Sequence, residues 1–238
     1  MGKNVLIIGA SGDIGIAIAE RLAMDGYQLL LHYNQQKKVI DKLMFKLDHE
    51  CVLTTIQADL CREIGIQKLL AELVYPVDYI IFASGSAYYG LFQETPEKTM
   101  DEMLSLHVKS PWMITRHLLP SMIQKKAGKI VFITSIWGDV GASHEVVYSA
   151  VKGAQNSFVK ALAKEVAPSG ISINAVSPGF IDTKMNRHLI MEEKETIISE
   201  IPMNRAGTSG EIAHTVSFLL DNKSSYIQGE IIGVNGGW

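Results

Sequence analysis

Short apolar runs alternate along this chain with longer segments whose apolar residues recur at helical spacing. Seven runs are rich in aliphatic and β-branched residues and are typical of buried strands: NVLIIG, YQLLLHY, VLTTIQ, VDYIIFA, KIVFITS, ISINAVS and EIIGVNG. The segments between them place apolar side chains three or four residues apart, as in Ile14, Ile18 and Leu22, which indicates helices with one buried face. The pattern therefore predicts strands that alternate with helices.

This alternation predicts the fold class. Neighbouring strands that are separated by a helix pair in parallel through crossover connections, and the helices then cover both faces of the sheet. We expect an α/β protein, a single-domain Rossmann-type doubly wound parallel sheet of about seven strands. The chain has 238 residues, 47% of them hydrophobic, and no Pro-, Gly- or Ser-rich linker, so we assign residues 1–238 to one domain.

Composition and charge exclude several classes of function. The formal net charge is −3, and without a basic surface we expect no nucleic-acid partner. The apolar run at the N-terminus breaks at Gly9, and no run approaches the ~20 apolar residues that a membrane span needs. The two cysteines, Cys51 and Cys61, cannot form a disulfide framework. We therefore expect a reduced, cytoplasmic protein without a membrane partner.

A glycine-rich turn follows the first predicted strand, in IIGASGDIGIAIAERL. Gly9, Gly12 and Gly15 surround the point where a helix begins, and a helix N-terminus offers free N–H groups and a positive dipole end to a pyrophosphate. A plain strand-to-helix turn would also need glycine. Since ligands of doubly wound sheets bind beyond the carboxyl ends of the strands, the turn is placed where a dinucleotide would bind.

The end of the second predicted strand bears on the choice of dinucleotide. An NAD site places an acidic residue there to bind the ribose 2′-hydroxyl, whereas this chain has Tyr33 and Asn34. The absence of an acid favours NADP(H) as the cofactor. Lys37 and Lys38 either reach the 2′-phosphate or form the solvated start of the next helix.

Three residues in SIWGDVGASHEVVYSAVKGAQ suggest proton-transfer chemistry. Tyr148 and Lys152 are four residues apart and so share a helix face, and Ser135 precedes the tyrosine. Hydride delivery to a ketone builds negative charge on its oxygen, which requires a nearby proton donor. An adjacent ammonium should lower the pKa of a phenol from its usual value near 10. We predict Tyr148 as the donor, Lys152 as its charged neighbour and Ser135 as the group that orients the carbonyl.

The motifs GASGDIG, ADL, ASG, the Ser-Tyr-Lys set and SPGFIDT occur in this order along the chain. In this order they resemble the short-chain dehydrogenase/reductase family over essentially the whole length. The resemblance implies catalytic residues Ser135, Tyr148 and Lys152, of which Lys152 also binds the nicotinamide ribose, and it implies no metal. The predicted cofactor residues are Gly9, Ser11, Gly12, Asp13, Ile14, Gly15, Tyr33, Asn34, Asp59, Leu60, Ala83, Ser84, Gly85, Tyr148, Lys152, Pro178, Gly179, Ile181 and Thr183.

Two positions depart from the family pattern. Asp13 replaces the middle glycine of the nucleotide turn, and we expect its carboxylate to cap the following helix. His107 stands where the family usually carries a catalytic asparagine that anchors a water in the proton relay, so we include His107 among the catalytic candidates. A histidine could hold a similar water through a ring nitrogen, or it could be a packing residue.

Two branches of the family compete for the substrate assignment. One is 3-oxoacyl-acyl-carrier-protein reductase, which usually presents basic residues before strands 5 and 6; here Lys129 fits the first place and Ser169 lies near the second. The other is elongation factor P 5-aminopentanone reductase, whose cationic substrate could pair with Asp139 or Glu145, unless both acids are simply solvated. We narrowly favour the second. The partner is then a carbonyl group carried on elongation factor P, or on acyl carrier protein in the first case.

Three further expectations concern the molecule as a whole. Residues 184–203 alternate apolar and charged side chains and predict an amphipathic lid over the substrate, or an interface helix. The family resemblance implies a homotetramer packed partly through the Tyr148 helix. A catalytically silent NADP-binding sensor or scaffold is a separate hypothesis, which the His107 departure leaves open.

Overall fold

All seven predicted strands are present in the computed structural model, and each begins and ends within two residues of the predicted bounds. The structure describes residues 2–187 and 189–238, with the backbone alone for His49; Met1, and His188 of the predicted lid, lie outside the described residues. The strands are β1 (Asn4–Ile8), β2 (Gln28–Tyr33), β3 (Val52–Gln57), β4 (Tyr79–Phe82), β5 (Gly128–Ile133), β6 (Ile171–Pro178) and β7 (Ile231–Val234).

The strands form one parallel sheet in the order β3-β2-β1-β4-β5-β6-β7. The direction of winding reverses between β1 and β4, because β2 and β3 lie on one side of β1 while β4 to β7 follow on the other. At such a reversal the loops leave the carboxyl ends in opposite directions and open a crevice for ligands. The fold thus confirms the predicted doubly wound class.

Helices cover both faces of the sheet. They are α1 (Asp13–Met24), α2 (Lys37–Lys46), α3 (Glu63–Glu72), α4 (Glu97–Leu104), α5 (Ser110–Lys125), α6 (Trp137–Val140), α7 (Val146–Val166), α8 (Met191–Glu200) and α9 (Ser209–Leu220). A π-helical turn, Ser105–Lys109, joins α4 to α5. Single 3-10 turns occur at His49–Cys51, Phe92–Glu94, Ala167–Ser169, Lys184–Asn186 and Asn222–Ser224. Within residues 2–187 and 189–238, no helix is both long and apolar enough to cross a membrane.

The sheet separates two hydrophobic cores. In β1, Val5 and Ile7 pack with α1, α2 and α9 on one face, while Leu6 and Ile8 pack with α3, α5 and α7 on the other. Burial of successive residues on opposite faces explains why the strands read as continuous apolar runs rather than as alternating patterns. The two cores fix the carboxyl ends of β1, β4, β5 and β6 side by side, and the candidate site lies there.

Candidate active site

The turn after β1 packs closely against the turn after β4. Gly9 has a φ of 88°, and a Cβ at this position would lie 2.6 Å from the Ser84 backbone. A Cβ at Gly15 would collide with the carbonyl oxygen of Gly9. At Gly12 the nearest atom to an added Cβ is the Gly9 oxygen at 3.6 Å, so the turn is crowded towards β4 and open at its tip. This is a cradle that a phosphate group can approach.

His32, in β2, braces this turn from inside the protein. The ring is buried; Gly9 donates its N–H to Nδ1 at 3.2 Å, and Nε2 lies 3.0 Å from the carbonyl oxygen of Ala58. Because Nδ1 accepts, Nε2 carries the proton and donates. Burial lowers the pKa of His32 to about 4, so the neutral ring connects the ends of β1 and β3. His32 was not among the predicted site residues, although a single histidine inside the apolar run QLLLHY is an unusual feature.

Asp13 does not cap α1. The helix begins at Asp13, after Gly12, and has no side-chain cap. The carboxylate instead accepts a 2.6 Å hydrogen bond from the Lys184 main-chain N–H and lies 3.1 Å from the Lys184 ammonium. The prediction of a capping role is therefore wrong, because the side chain of the first helical residue points outward to the segment that follows β6.

The predicted cofactor residues at the ends of β2 and β3 differ in the exposure of their side chains. Tyr33 and Leu60 have their side chains in the two hydrophobic cores. This packing argues against a side-chain contact with the cofactor at these two positions, and their part in cofactor binding stays a prediction. Asn34 is exposed directly after β2, so it is the side chain that faces outward at this end of the sheet.

The charged side chains at the same edge of the sheet contact groups that are close to them in the chain. Asp59 accepts a hydrogen bond from the Cys61 N–H at 3.1 Å, which fixes the turn after β3. Lys37 begins α2 and lies 2.9 Å from Asp41 one turn further on, whereas Lys38 is exposed. An exposed pair of this kind contributes little to stability. Both lysines lie on the solvated start of α2, as one of the two interpretations expected.

The remaining predicted cofactor residues follow β4 and β6. Ala83 donates its N–H to the Ile8 carbonyl at 2.9 Å, so the first residue of the ASG turn extends the β1–β4 pairing. After β6, Gly179 donates to Val234 at 3.1 Å, and Ile181 forms an isolated bridge with Gly207 while its side chain is buried. Ser84, Gly85 and Thr183 lie in these same two segments, and Pro178 is the last residue of β6.

The predicted catalytic trio comes together at the carboxyl end of β5. Ser135 follows that strand, while Tyr148 and Lys152 lie on one face of α7, and all three are buried. The Lys152 ammonium donates to the Ile133 carbonyl at 2.8 Å and lies 5.6 Å from the centre of the Tyr148 ring. The Ser135 hydroxyl accepts a hydrogen bond from the Trp137 main-chain N–H at 3.2 Å.

The acidity of the trio differs from the sequence prediction. Burial, followed by the Glu145 charge, raises the pKa of Tyr148 to about 12, and the nearby Ser135 hydroxyl acts in the opposite direction. Burial also lowers the pKa of Lys152 to about 7. Lys152 is not among the causes of the Tyr148 shift, so the structure does not show the expected lowering of that pKa by the lysine. Tyr148 is protonated at neutral pH, which is the state that a proton donor needs.

His107 lies in the π-helical turn between α4 and α5 and is fully buried, at 0% exposure. Nε2 is 2.9 Å from the Ser86 carbonyl oxygen and 3.3 Å from the Ser86 nitrogen. The shorter contact assigns the proton to Nε2, which donates to the oxygen. Nδ1 is then an acceptor, and it has no hydrogen-bond partner among the residues that the structure describes.

The environment of His107 keeps its ring neutral. Burial, followed by the Lys152 charge, lowers the pKa of His107 to about 3. The ring stands edge-on to Tyr148, with the ring centres 5.8 Å apart. A neutral ring with one open, buried acceptor nitrogen favours the water-holding interpretation over that of a fully bonded packing histidine. It also excludes His107 as a proton donor near neutral pH.

Comparison with known proteins agrees with this geometry. A family model described as enoyl-(acyl carrier protein) reductase matches residues 9–238. The chain is 50% identical to an uncharacterized oxidoreductase, YmfI, of Bacillus subtilis (strain 168), over 100% of this chain and 99% of the relative. It is 32% identical to the 3-oxoacyl-[acyl-carrier-protein] reductase FabG of Staphylococcus epidermidis, over 100% of this chain and 99% of that one.

A solved structure has the same fold. A putative NAD(P)-dependent gluconate 5-dehydrogenase from Beutenbergia cavernae with bound NADP superposes with a TM-score of 0.93 at 27% identity, covering 100% of this chain and 96% of that chain. The chain belongs to the short-chain dehydrogenase/reductase family. It is accordingly an NAD(P)-dependent oxidoreductase.

The residues of this short-chain dehydrogenase/reductase fit a dinucleotide. The open tip at Gly12, the crowded Gly9 and Gly15, and the first turn of α1 together form a backbone cradle for phosphates. In a doubly wound sheet, the two nucleosides of a bound dinucleotide would lie near Asn34 and near the ASG turn. The buried trio adjoins the cradle across the ends of β1, β4 and β5.

The two acids that could pair with a substrate amine lie in different places. Asp139 lines a cavity of about 400 Å³ together with Lys160 and Trp238, and this cavity is not lined by the catalytic trio. Glu145 precedes α7, and its charge acts on the Tyr148 hydroxyl. Of the two acids, Glu145 is therefore the one near the reacting end.

Lys129 is not an exposed basic residue. It is buried near the start of β5, and its ammonium donates to the carbonyls of Leu219 at 3.2 Å and Asp221 at 2.9 Å. The expectation that Lys129 offers a charge to a carrier protein is wrong, because these carbonyls at the end of α9 hold its side chain inside the molecule.

An aromatic wall, Tyr88, Tyr89 and His144, was missed by the sequence analysis. The Gly90 N–H donates to the His144 carbonyl at 2.8 Å, and the Tyr89 and His144 rings stack with centres 5.1 Å apart. Tyr88 packs against the apolar cluster that contains Tyr148. The wall joins the loops after β4 and β5 beside the trio; the adjacent tyrosines of SAYYG were the available signal.

Proposed function

We propose that this protein is an NADPH-dependent ketone reductase with Tyr148 as the proton donor. The observation that carries the proposal is the buried Ser135–Tyr148–Lys152 cluster beside the glycine cradle. When bound, NADPH supplies a hydride to the carbonyl carbon. The cluster supplies the proton that the carbonyl oxygen then needs.

Each member of the trio has a distinct task. Tyr148 is protonated, with a pKa of about 12, and gives its hydroxyl proton to the oxygen as negative charge develops. Ser135 donates a second hydrogen bond to the same oxygen, which stabilises that charge. The Lys152 cation stabilises the tyrosinate that remains. A water on the open Nδ1 of His107 would connect the lysine to the proton supply.

The choice of NADPH over NADH rests on the end of β2. The exposed residue there is Asn34 rather than an acid, so nothing negative repels a 2′-phosphate. The solved gluconate 5-dehydrogenase structure with bound NADP supports the same choice.

The proposal is tested by removing the proton donor. Tyr148→Phe deletes only a hydroxyl, so NADPH binding should survive, while ketone turnover falls by ~100- to 10,000-fold because the donor acts in the transition state. Tyr33→Phe is the matched control; its ring lies in the core, and turnover should stay near the wild-type value. NADPH oxidation with a small ketone measures the rates, and NADPH fluorescence measures binding. Near-native turnover of Tyr148→Phe would contradict the mechanism.

We propose a cationic aminoketone as the substrate, with the 5-aminopentanone-modified lysine of elongation factor P as the leading candidate. Glu145 supports this choice, because its charge lies at the reacting end of the site. The burial of Lys129 and the uncharged Ser169 remove the two basic positions that a carrier protein would use. Deletion of the gene should leave elongation factor P two mass units lighter, as the unreduced ketone; an unchanged mass would contradict the candidate.

Glu145 offers a test with purified protein. Glu145→Gln should weaken reduction of an aminoketone by about tenfold more than reduction of a neutral ketone of equal size, because one charge pair is lost. Asp139→Asn is the control, since Asp139 lines a different cavity. Equal losses on both ketones would indicate a general disturbance and remove the electrostatic support.

Reduction of 3-oxoacyl groups on acyl carrier protein is the second candidate. The 32% identity to a FabG reductase and the family match favour it. Efficient turnover of a 3-oxoacyl carrier substrate, with poor turnover of the aminoketone, would select it. NADPH binding without turnover of either ketone would instead indicate the silent sensor or scaffold.

We also propose a homotetramer that packs partly through α7. On the neighbouring α5, the side chains of Trp112 and Ile123 are 46% and 42% exposed, and Val146 at the start of α7 is 45% exposed. Large apolar groups of this kind are commonly covered in an assembly. Light scattering should give four times the chain mass of 26.2 kDa, and Trp112→Glu should produce a smaller species. A monomeric wild type would contradict the proposal.

A further inference from the structure

The strap, defined as residues 179–187, leaves β6 and runs towards α8. Its inner side is fixed to Gly207, which donates its N–H to Phe180 at 2.9 Å and accepts from the Asp182 N–H at 2.9 Å. The Ile181 side chain between them is buried. These contacts anchor the first half of the strap to the body of the protein.

The second half of the strap meets the nucleotide turn through one carboxylate. Asp13 Oδ2 accepts from the Lys184 N–H at 2.6 Å, and Oδ1 lies 3.1 Å from the Lys184 ammonium. The two residues are 171 positions apart in the chain. The contact therefore joins the first residue of α1 to a loop that begins on the opposite side of the dinucleotide cradle.

The pairing changes the electrostatics of the cradle. A lone carboxylate in the first turn of α1 would repel the phosphates that this helix end attracts. Lys184 balances the charge of Asp13, and its N–H occupies the second carboxylate oxygen. The backbone N–H groups of the first turn of α1 thus stay available to a phosphate, although an acid stands among them.

We propose that Asp13 and Lys184 form a latch that holds the strap against the nucleotide turn and slows the release of the dinucleotide. The proposal rests on the NADPH binding proposed above. Exchange of NADP⁺ for NADPH then requires the latch to open, so the residue that departs from the family glycine controls how long the cofactor stays.

The test measures the rate of NADPH release by stopped-flow fluorescence. Asp13→Ala removes both contacts, and release should accelerate about tenfold, as expected for the loss of a charge-assisted hydrogen bond. Lys184→Ala keeps the main-chain N–H and should have a smaller effect in the same direction. The double variant should match Asp13→Ala alone. Glu20→Ala and Lys46→Ala break a 2.7 Å ion pair elsewhere on α1 and α2 and should leave the rate unchanged.

Two results would overturn the latch. Tighter NADPH binding by Asp13→Ala would mean that the carboxylate acts only by repulsion. Effects of Asp13→Ala and Lys184→Ala that add in the double variant would mean that the lysine contacts the phosphates by itself.

Amide hydrogen exchange of the cofactor-free protein gives a readout that is independent of activity and of NADPH. Asp13→Ala should raise exchange at Lys184, and an unchanged rate there would contradict the contact. A wild type that binds neither NADPH nor NADH would contradict the proposed function and the dinucleotide role of the latch. The exchange rate at Lys184 would still report whether the contact exists.

Discussion

At the scale of single residues, burial shifts the pKa values of Tyr148 and Lys152 in opposite directions. Burial disfavours charge, so it raises the pKa of Tyr148 to about 12 and lowers that of Lys152 to about 7. The site therefore holds a fully protonated acid beside a base that loses its proton near neutral pH. The spacing of the two residues in the sequence could not reveal this, because desolvation depends on the packing around α7.

The Lys152 shift predicts the pH dependence of the reaction. Its cation is present below the folded pKa of about 7 and is lost as the pH rises through it. The value of kcat/KM for NADPH, which reports the free enzyme, should therefore fall between pH 7 and 9. Tyr148 cannot cause this fall, because its pKa is about 12. Lys152→Arg keeps its charge at high pH, so its residual activity should be flat; a flat wild-type profile would contradict the assignment.

His107 predicts a contrast between two substitutions. Asn retains a polar group that can hold a water, so His107→Asn should keep turnover within about tenfold, a tolerance of about 1.4 kcal/mol in barrier height. His107→Leu fills similar space without any hydrogen-bonding atom and should lose about a hundredfold. Thermal melts show whether each variant is folded. Equal turnover of the two variants would support a packing role instead.

At the scale of elements, the strands and helices could be predicted from the sequence, since apolar runs and helical spacing are local properties. The direction of individual side chains at strand ends was less predictable. Tyr33 turns into the core while Asn34 faces solvent, and His32 bonds to backbone groups directly after two other strands. The Asp13–Lys184 contact joins distant parts of the chain. Contacts of this kind depend on the closed fold, and no spacing rule shows them.

The exposed position after β2 predicts the cofactor preference. Asn34→Asp places a carboxylate where it repels a 2′-phosphate and can accept from a 2′-hydroxyl, so the preference for NADPH over NADH should fall by at least about tenfold. Gln35→Glu adds the same charge at the next exposed residue and should have a smaller effect. The ratio of the two dissociation constants measures the change. A wild type that binds NADH as tightly as NADPH would contradict this interpretation of β2.

At the scale of the whole molecule, two histidines make the fold sensitive to acid. His32 and His107 are buried and neutral, with pKa values lowered to about 4 and about 3, against about 6.5 in an unfolded chain. The unfolded state therefore binds more protons at acidic pH. Their burial therefore does not reduce the free energy of unfolding above pH 6.5. As the pH falls from 6.5 towards the folded pKa values, this free energy decreases. Protonation of His32 would disrupt the sheet directly, because its neutral ring connects β2 to the turn after β1.

Urea unfolding at pH 7 and pH 5 tests this sensitivity. Between these values each buried histidine should cost about 2 kcal/mol of unfolding free energy, from the linkage between its two pKa values. The double variant His32→Gln and His107→Asn should lose less stability than the wild type over the same interval, even if it is less stable at pH 7. His117→Gln, which replaces an exposed histidine of α5, should not alter the interval. An equal loss in the wild type and the double variant would show that carboxylates, rather than these two rings, set the acid limit of the fold.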